Sequence, residues 1–226
     1  MKHKSFEKRR QAIKVFGYMA TLKEAGFRPE KNCHFFGLGY GGVNVLKYLH
    51  RRKIAGKYTA VGNPGLPLPE GINLIRFVPS AFKEIKTSRH TFIYPDPEVP
   101  VELPEDVLPL FDEDNNNLLL VSAGGYSGSG LAAALIPILQ EKKVRFLIIF
   151  SYPFNFEGSK RRNAADDLLE IMSGMRNYIS FKLDDLNCEY PNLKLYQAFE
   201  AADHAHYRIV RELLVIGRHI DSCEYE

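Results

Sequence analysis

Three segments of this chain are apolar at nearly every consecutive position: CHFFGLG (33–39), NLLLVSA (117–123) and VRFLIIFSY (144–152). A strand with one wet face must alternate apolar and polar residues. A continuous apolar run therefore needs cover on both faces. Helical patterns stand between these runs. Residues 43–53 set Val45, Leu46 and Leu49 against Lys47, Arg51, Arg52 and Lys53, and further helices are predicted at 131–142, 159–176 and 195–218. Shorter strands are predicted at 58–62, 72–77 and 178–183. The alternation predicts an α/β fold: three layers, with a mostly parallel sheet between helices on both faces.

Residues 5–26 have helical spacing, and Gly26 suits a C-cap. Residues 78–116 carry prolines at 79, 95, 97, 100, 104 and 109, and read as mostly loop with one short helix near 104–112. At 226 residues and 45% hydrophobic content, the chain can bury one substantial core. Its net charge is only +3, and much of the excess sits in Lys2, Lys4, Lys8, Arg9 and Arg10. That arm reads as a solvated terminus, with no nucleic-acid partner expected. Cys33, Cys188 and Cys223 are an odd number without a CxxC, which predicts neither a metal site nor a disulfide framework and fits a reducing compartment. The N-terminus lacks the apolar core of a signal peptide, and no apolar run reaches the ~20 residues of a membrane-spanning helix. The chain is expected to be soluble and cytoplasmic, with no direct membrane insertion. His204, His206 and His219 have no metal-ligand spacing and read as exposed helix histidines.

Two glycine-rich turns each lead from a predicted strand into a predicted helix: GLGYGGVN (37–44) and GGYSGSG (124–130). A helix N-terminus presents unpaired N–H groups and partial positive charge, so it attracts anions. Glycines ahead of it let backbone approach a phosphate and adopt positive φ. Ser127 and Ser129 add hydroxyl donors. Two such turns at the carboxyl ends of strands in one Rossmann-like sheet can face one polyphosphate. Either turn alone would also serve as a tight connection needing small residues. Gly37, Gly39 and Gly42 satisfy a loose GxGxxG, which suggests a dinucleotide enzyme. The acidic residue that motif expects is missing where the second strand ends at Val61, Gly62, Asn63 and Pro64. No GK[ST] follows either turn, so a Walker A loop is absent.

SYPFNFEGSKRR (151–162) adds a third motif. With GLGYGGVN, AGGYSGSGLAAAL and AFEAAD, it closely resembles the nucleotide-binding half of the FtsZ/tubulin family, whose bacterial members carry GxGGGGxN, GGGTGTG and PFxFEGxxR in this order. The resemblance runs from about residue 30 to the end and is weakest over 63–115. It implies a tubulin/FtsZ GTPase-domain fold over 1–226, with 1–30 a helical extension and 195–218 the long central helix. It also implies GTP or GDP as ligand, with Mg²⁺ held through the phosphates. The implied nucleotide-binding residues begin with Gly37, Gly39, Tyr40, Gly41, Gly42 and Asn44 in the first turn. Gly124, Gly125, Tyr126, Ser127, Gly128, Ser129 and Gly130 form the second. Ser151 and Glu157 fall where the family contacts the ribose, and Arg161 matches an arginine that reaches toward the nucleotide. Phe199 and Asp203 match the residues that stack on and read guanine. A carboxylate accepting from guanine N1–H and its exocyclic amine rejects adenine, which presents the opposite pattern.

Departures are as informative. Tyr40 and Tyr126 each replace a loop glycine. The family's asparagine before the long helix has no clear counterpart in KLDDLN (182–187), the aspartate expected after the second strand is replaced near Pro64, and DPEV (96–99) stands where a terminal-phosphate-sensing loop is expected. The sequence ends at Glu226, before the family's catalytic loop and C-terminal domain, so no catalytic residue is assigned to this chain. The resulting expectation is a guanine-nucleotide-binding protein without efficient autonomous hydrolysis or polymerisation, associating with itself or with an FtsZ/tubulin-type filament. The alternatives are a GTPase of a cell-division or cytoskeletal filament completed by another chain's acid, and a Rossmann dinucleotide enzyme. A tail cluster of Asp221, Glu224 and Glu226 could stand in for that acid.

Overall fold

The computed structural model describes residues 2–63, 67–86, 91–96, 98–186, 190 and 194–220. Eight strands and five α-helices lie along the described chain. Helix α1 (Lys2–Glu24) precedes β1 (Asn32–Leu38), α2 (Gly39–Arg51), β2 (Lys57–Gly62) and β3 (Ile72–Arg76). Strands β4 (Phe82–Lys86) and β5 (Thr91–Pro95) follow, then β6 (Asn115–Ser122), α3 (Tyr126–Glu141) and β7 (Phe146–Tyr152). The chain continues through α4 (Ser159–Ile171) and β8 (Tyr178–Lys182) into α5 (Leu195–Gly217).

Six strands form one sheet in the order β3-β2-β1-β6-β7-β8, with every neighbouring pair parallel. The apolar runs occupy its centre, where each successive residue faces a different helical layer. Phe35, Leu118, Leu120, Leu147 and Ile149 pack toward α2 and α5, against Leu46, Leu49, Val210 and Leu213. Phe36, Leu119, Val121, Ile148 and Phe150 pack toward α3 and α4, against Leu131, Leu135, Ile136 and Leu168. Burying both faces at ~1.5–3 kcal/mol per large side chain is what makes an all-parallel sheet hold. Helix α1 lies outside this sandwich, packed on α5 and joined to it by a Lys14–Glu212 ion pair.

Several sequence expectations change. The described residues of 78–116 are mostly loop, as the prolines imply, but they also hold a hairpin that was not expected: β4 and β5 pair antiparallel, with Glu84 opposite Ile93. The prolines flank this hairpin or end it, leaving two short segments rich in β-formers free to pair. A single 3₁₀ turn, Leu108–Leu110, stands where a short helix is expected. The glycine turns are shorter than their motifs, because α2 already begins at Gly39 and α3 at Tyr126. Helix α4 stops at Ile171 rather than near 176.

His206 is not exposed. It is fully buried in α5, and its Nδ1 lies 3.0 Å from the Ala202 carbonyl. A carbonyl only accepts, so Nδ1 carries the proton, and burial pulls the ring pKa down to about 4. Its i, i+4 partner is backbone, which no side-chain pattern signals. Cys33 is a buried free thiol, pushed up to about 12 by burial, while Cys188 and Cys223 lie outside the described residues. Pro64 and the acidic tail at Asp221, Glu224 and Glu226 also lie outside them. Among the described residues no helix is long and apolar enough to cross a membrane, and no His, Cys, Asp and Glu group suits a metal ion.

Candidate functional site

The carboxyl ends of β1, β6 and β7 deliver the chain into the first turns of α2 and α3 and into the segment before α4. Parallel strands put all these ends on one edge, so the glycine motifs converge there. A cleft of about 680 Å³ opens between them. Tyr40, Gly41 and Asn44 from α2 line it, with Gly125, Tyr126, Ser127 and Gly128 from the start of α3. Ser151, Glu157 and Arg161 also line it, and Phe199 and Asp203 contribute from α5.

The two helix starts are in backbone contact. Gly39 has φ +66°, and a Cβ there would lie 2.4 Å from the Gly128 amide nitrogen. Neither α2 nor α3 has a side-chain hydrogen bond capping its N-terminus. Their first amides are therefore available at the cleft, with both helix dipoles adding positive potential. A side chain on Gly125 would meet no atom within 4 Å, so the cradle is open at that point.

Other glycines of the motifs serve packing. A Cβ on Gly37 would lie 2.6 Å from the Gly42 carbonyl, and one on Gly42 would lie 2.3 Å from the Leu120 carbonyl. These two let α2 press onto the sheet behind the cleft. Gly124, at φ +89°, backs onto the Arg161 main chain, and its amide donates to the buried Ser129 hydroxyl at 2.9 Å. Gly130 packs against Val101. Gly37, Gly39, Gly42, Gly124, Ser129 and Gly130 thus shape the walls, whereas the other predicted residues line the cleft itself.

Ser151 pairs in register with Ser122 at the ends of β7 and β6. Its Oγ is buried, only 1% of the residue is exposed, and no described group hydrogen-bonds it. A buried hydroxyl without a partner at a cleft wall is a ready contact for a ligand hydroxyl. Glu157 has two partners in the protein. The Phe154 amide donates to its Oε1 at 2.9 Å, and Arg161 donates to its Oε2 at 3.0 Å. The carboxylate and guanidinium, read separately in the sequence, are thus a pair one helical turn apart.

Phe199 is 45% exposed, with Phe154 and Phe156 meeting it edge-on at 6.3 and 6.5 Å. The exposed part of the ring borders the cleft. Asp203, half-buried one turn further on, has its carboxyl raised to about 7, chiefly by desolvation, with Arg51 opposing and Glu200 reinforcing the shift. Sequence reasoning missed Ser122, Leu183, Ala202 and Tyr196 in the lining. Tyr196 was findable, since Tyr196, Phe199 and Asp203 recur at i, i+3 and i+7 on one helix face. Pro95 was not, because it arrives on the unpredicted hairpin.

No protein-family model and no curated protein matches the sequence. Solved structures do match the fold. An empty FtsZ dimer from M. jannaschii aligns with a TM-score of 0.64 at 18% identity, over 82% of this chain and 55% of the other. CetZ from Methanosaeta thermophila aligns at 0.55 and 14% identity, over 84% and 53%. The GDP complex of the phage tubulin PhuZ aligns at 0.52 and 12%, over 83% and 56%. The chain spans a little over half the length of these structures, and its α/β fold is FtsZ/tubulin-like.

Proposed function

We propose that the cleft binds a guanine nucleotide, with the base at Asp203 and Phe199, the ribose at Ser151 and Glu157, and the phosphates against the N-termini of α2 and α3. One observation carries the reading. Two uncapped helix starts in backbone contact line a 680 Å³ cleft that also holds a half-buried carboxylate beside an exposed phenylalanine ring. The volume suits a ligand of this size. The open cradle at Gly125 and the unpartnered Ser151 hydroxyl support a polyphosphate and a sugar at those points. The GDP bound in the phage tubulin supports the same ligand class on this fold. Mg²⁺ would be held through the phosphates and would neutralise their charge when bound. Self-association is part of the proposal, supported by the FtsZ neighbour being a dimer.

The Rossmann alternative has less support, because no acidic residue ends β2, whose last residue is Gly62. Isothermal titration with GDP, GTP, ATP and NAD tests the reading. Micromolar or tighter binding of a guanine nucleotide is expected, and tighter binding of ATP or NAD would overturn it.

A further inference from the structure

The cleft adjoins a second cavity. Between α3 and α4 lies a groove of about 720 Å³, walled by apolar residues including Val99, Val101, Ala133, Ala164 and Leu168. Pro95, Gly125, Tyr126 and Arg161 line both spaces. Gly125 contributes no side chain at this boundary, so the Tyr126 ring stands between the two together with Pro95 and the Arg161 side chain.

That ring is held from three directions. Its Cα sits on the first turn of α3, its hydroxyl donates to the Val99 carbonyl at 3.4 Å, and Phe77 packs 6.5 Å away. Val99 belongs to the segment after β5, and that segment is tied to the hairpin by Lys83, which reaches Asp96 and Glu98 at 3.0 Å each. The partition is therefore anchored to a second structural unit as well as to its own helix.

In the proposed placement the base meets Asp203 and Phe199, the ribose Ser151 and Glu157, and the phosphates the amides at Gly41, Ser127 and Gly128. The start of α3, at Gly125 and Tyr126, also borders the groove, whereas Asp203, Phe199, Ser151 and Glu157 do not line it. We propose that Tyr126 is a specificity-determining partition that ends the cleft after the second phosphate, so that the site selects a nucleoside diphosphate over a triphosphate. The proposal rests on the guanine-nucleotide reading above. A glycine in place of this tyrosine would take the ring away from the boundary between cleft and groove, where a third phosphate would extend.

The test compares dissociation constants for GDP, GTP and a GDP esterified on its terminal phosphate, in the wild type, Tyr126→Phe and Tyr126→Ala. The wild type should bind GDP at least about tenfold more tightly than either larger ligand, the ester included, because bulk and not charge is excluded. Tyr126→Phe keeps the ring and should keep the ratio. Tyr126→Ala should bring the ratio to within about threefold of unity. Equal binding of GDP and GTP by the wild type, or an unchanged ratio in a folded Tyr126→Ala protein, would overturn the partition while leaving the nucleotide reading intact. If Tyr126→Ala does not fold, the wild-type ratios for GTP and the ester still decide it. Failure of the wild type to bind any guanine nucleotide would overturn both.

Discussion

Gly39 and Gly128 meet backbone to backbone: a Cβ on Gly39 would lie 2.4 Å from the Gly128 nitrogen and 2.6 Å from its Cα. Gly39 is also at φ +66°, where an L side chain is strained. Substitution therefore meets two independent penalties, about 1–2 kcal/mol for the left-handed backbone and about 1–3 kcal/mol for overpacking. Gly39→Ala is expected to lower the melting temperature by roughly 5–15 °C for a chain of this size. It should also weaken nucleotide binding by spreading the two helix starts. Gly125→Ala is the control. That site has negative φ and open space, so its cost should be about 1 kcal/mol or less. Thermal melting of both variants decides the comparison.

The sheet was legible because two-faced burial writes an unbroken apolar run into every central strand. The convergence of the two glycine turns followed from parallel strands, which can place successive carboxyl ends on one edge. What each glycine does was not legible. Gly37 and Gly42 share one motif with Gly41, yet the first two pack α2 on the sheet while Gly41 lines the cleft. The role of Gly42 depends on a contact across 78 residues, against the Leu120 carbonyl, which no local pattern signals. The β4–β5 hairpin was hidden by its own brevity, two five-residue strands among prolines. With it went Pro95 and the segment that anchors Tyr126. The Glu157–Arg161 pair has ordinary i, i+4 spacing, but each residue read more strongly as a ligand contact than as a partner of the other.

Ser151 separates binding from stability. Its hydroxyl is buried and has no described partner, so the free protein bears a desolvation cost that a ligand hydroxyl would relieve. Ser151→Ala should leave the free protein as stable as the wild type or more stable, by up to about 1 kcal/mol. Its guanine-nucleotide affinity should fall about threefold to tenfold, one hydrogen bond's worth. A clear loss of melting temperature in the absence of nucleotide would instead mean that Ser151 has a structural partner.

Arg161 offers the complementary case. Its side chain is 52% exposed, so the ion pair with Glu157 contributes at most about 1 kcal/mol to stability. Arg161→Ala should barely shift the melting temperature, yet weaken nucleotide binding by about 1.5–3 kcal/mol, the range for hydrogen bonds to charged groups. Glu157→Ala should cost more stability, because it also strands the Phe154 amide that Oε1 now accepts from. Equal effects of the two variants on melting would place the pair's role in the fold alone.

Hydrolysis needs an oriented water at the terminal phosphate. Among the residues lining the cleft the carboxylates are Glu157 and Asp203, assigned here to the sugar and the base. The chain alone is accordingly expected to release phosphate from GTP negligibly and to form no filaments on GTP addition with Mg²⁺. Phosphate release and light scattering across a protein concentration series check this. Turnover rising steeply with concentration would show that a neighbouring chain supplies the missing group.

Asp203 makes the nucleotide site sensitive to pH in a defined direction. Desolvation raises its carboxyl to about 7, so near neutrality the free protein holds it about half protonated. Reading guanine N1–H and the exocyclic amine requires the ionised form, so binding must release that proton. Affinity should therefore rise with pH, by about tenfold between pH 6 and 8, and level off above. The stability linkage runs the opposite way. A carboxyl raised in the folded state contributes stability that is full below the unfolded value near 4 and is lost as pH climbs through about 7. The free protein should thus lose this group's contribution over the range in which nucleotide binding strengthens. Asp203→Asn removes the titration and presents an amide, and should flatten the affinity profile between pH 6 and 8 while weakening guanine binding by about 1–3 kcal/mol. Titration of GDP at pH 6, 7 and 8 against both proteins measures this. A wild-type affinity that is flat or falls with pH would remove Asp203 from the base-reading role.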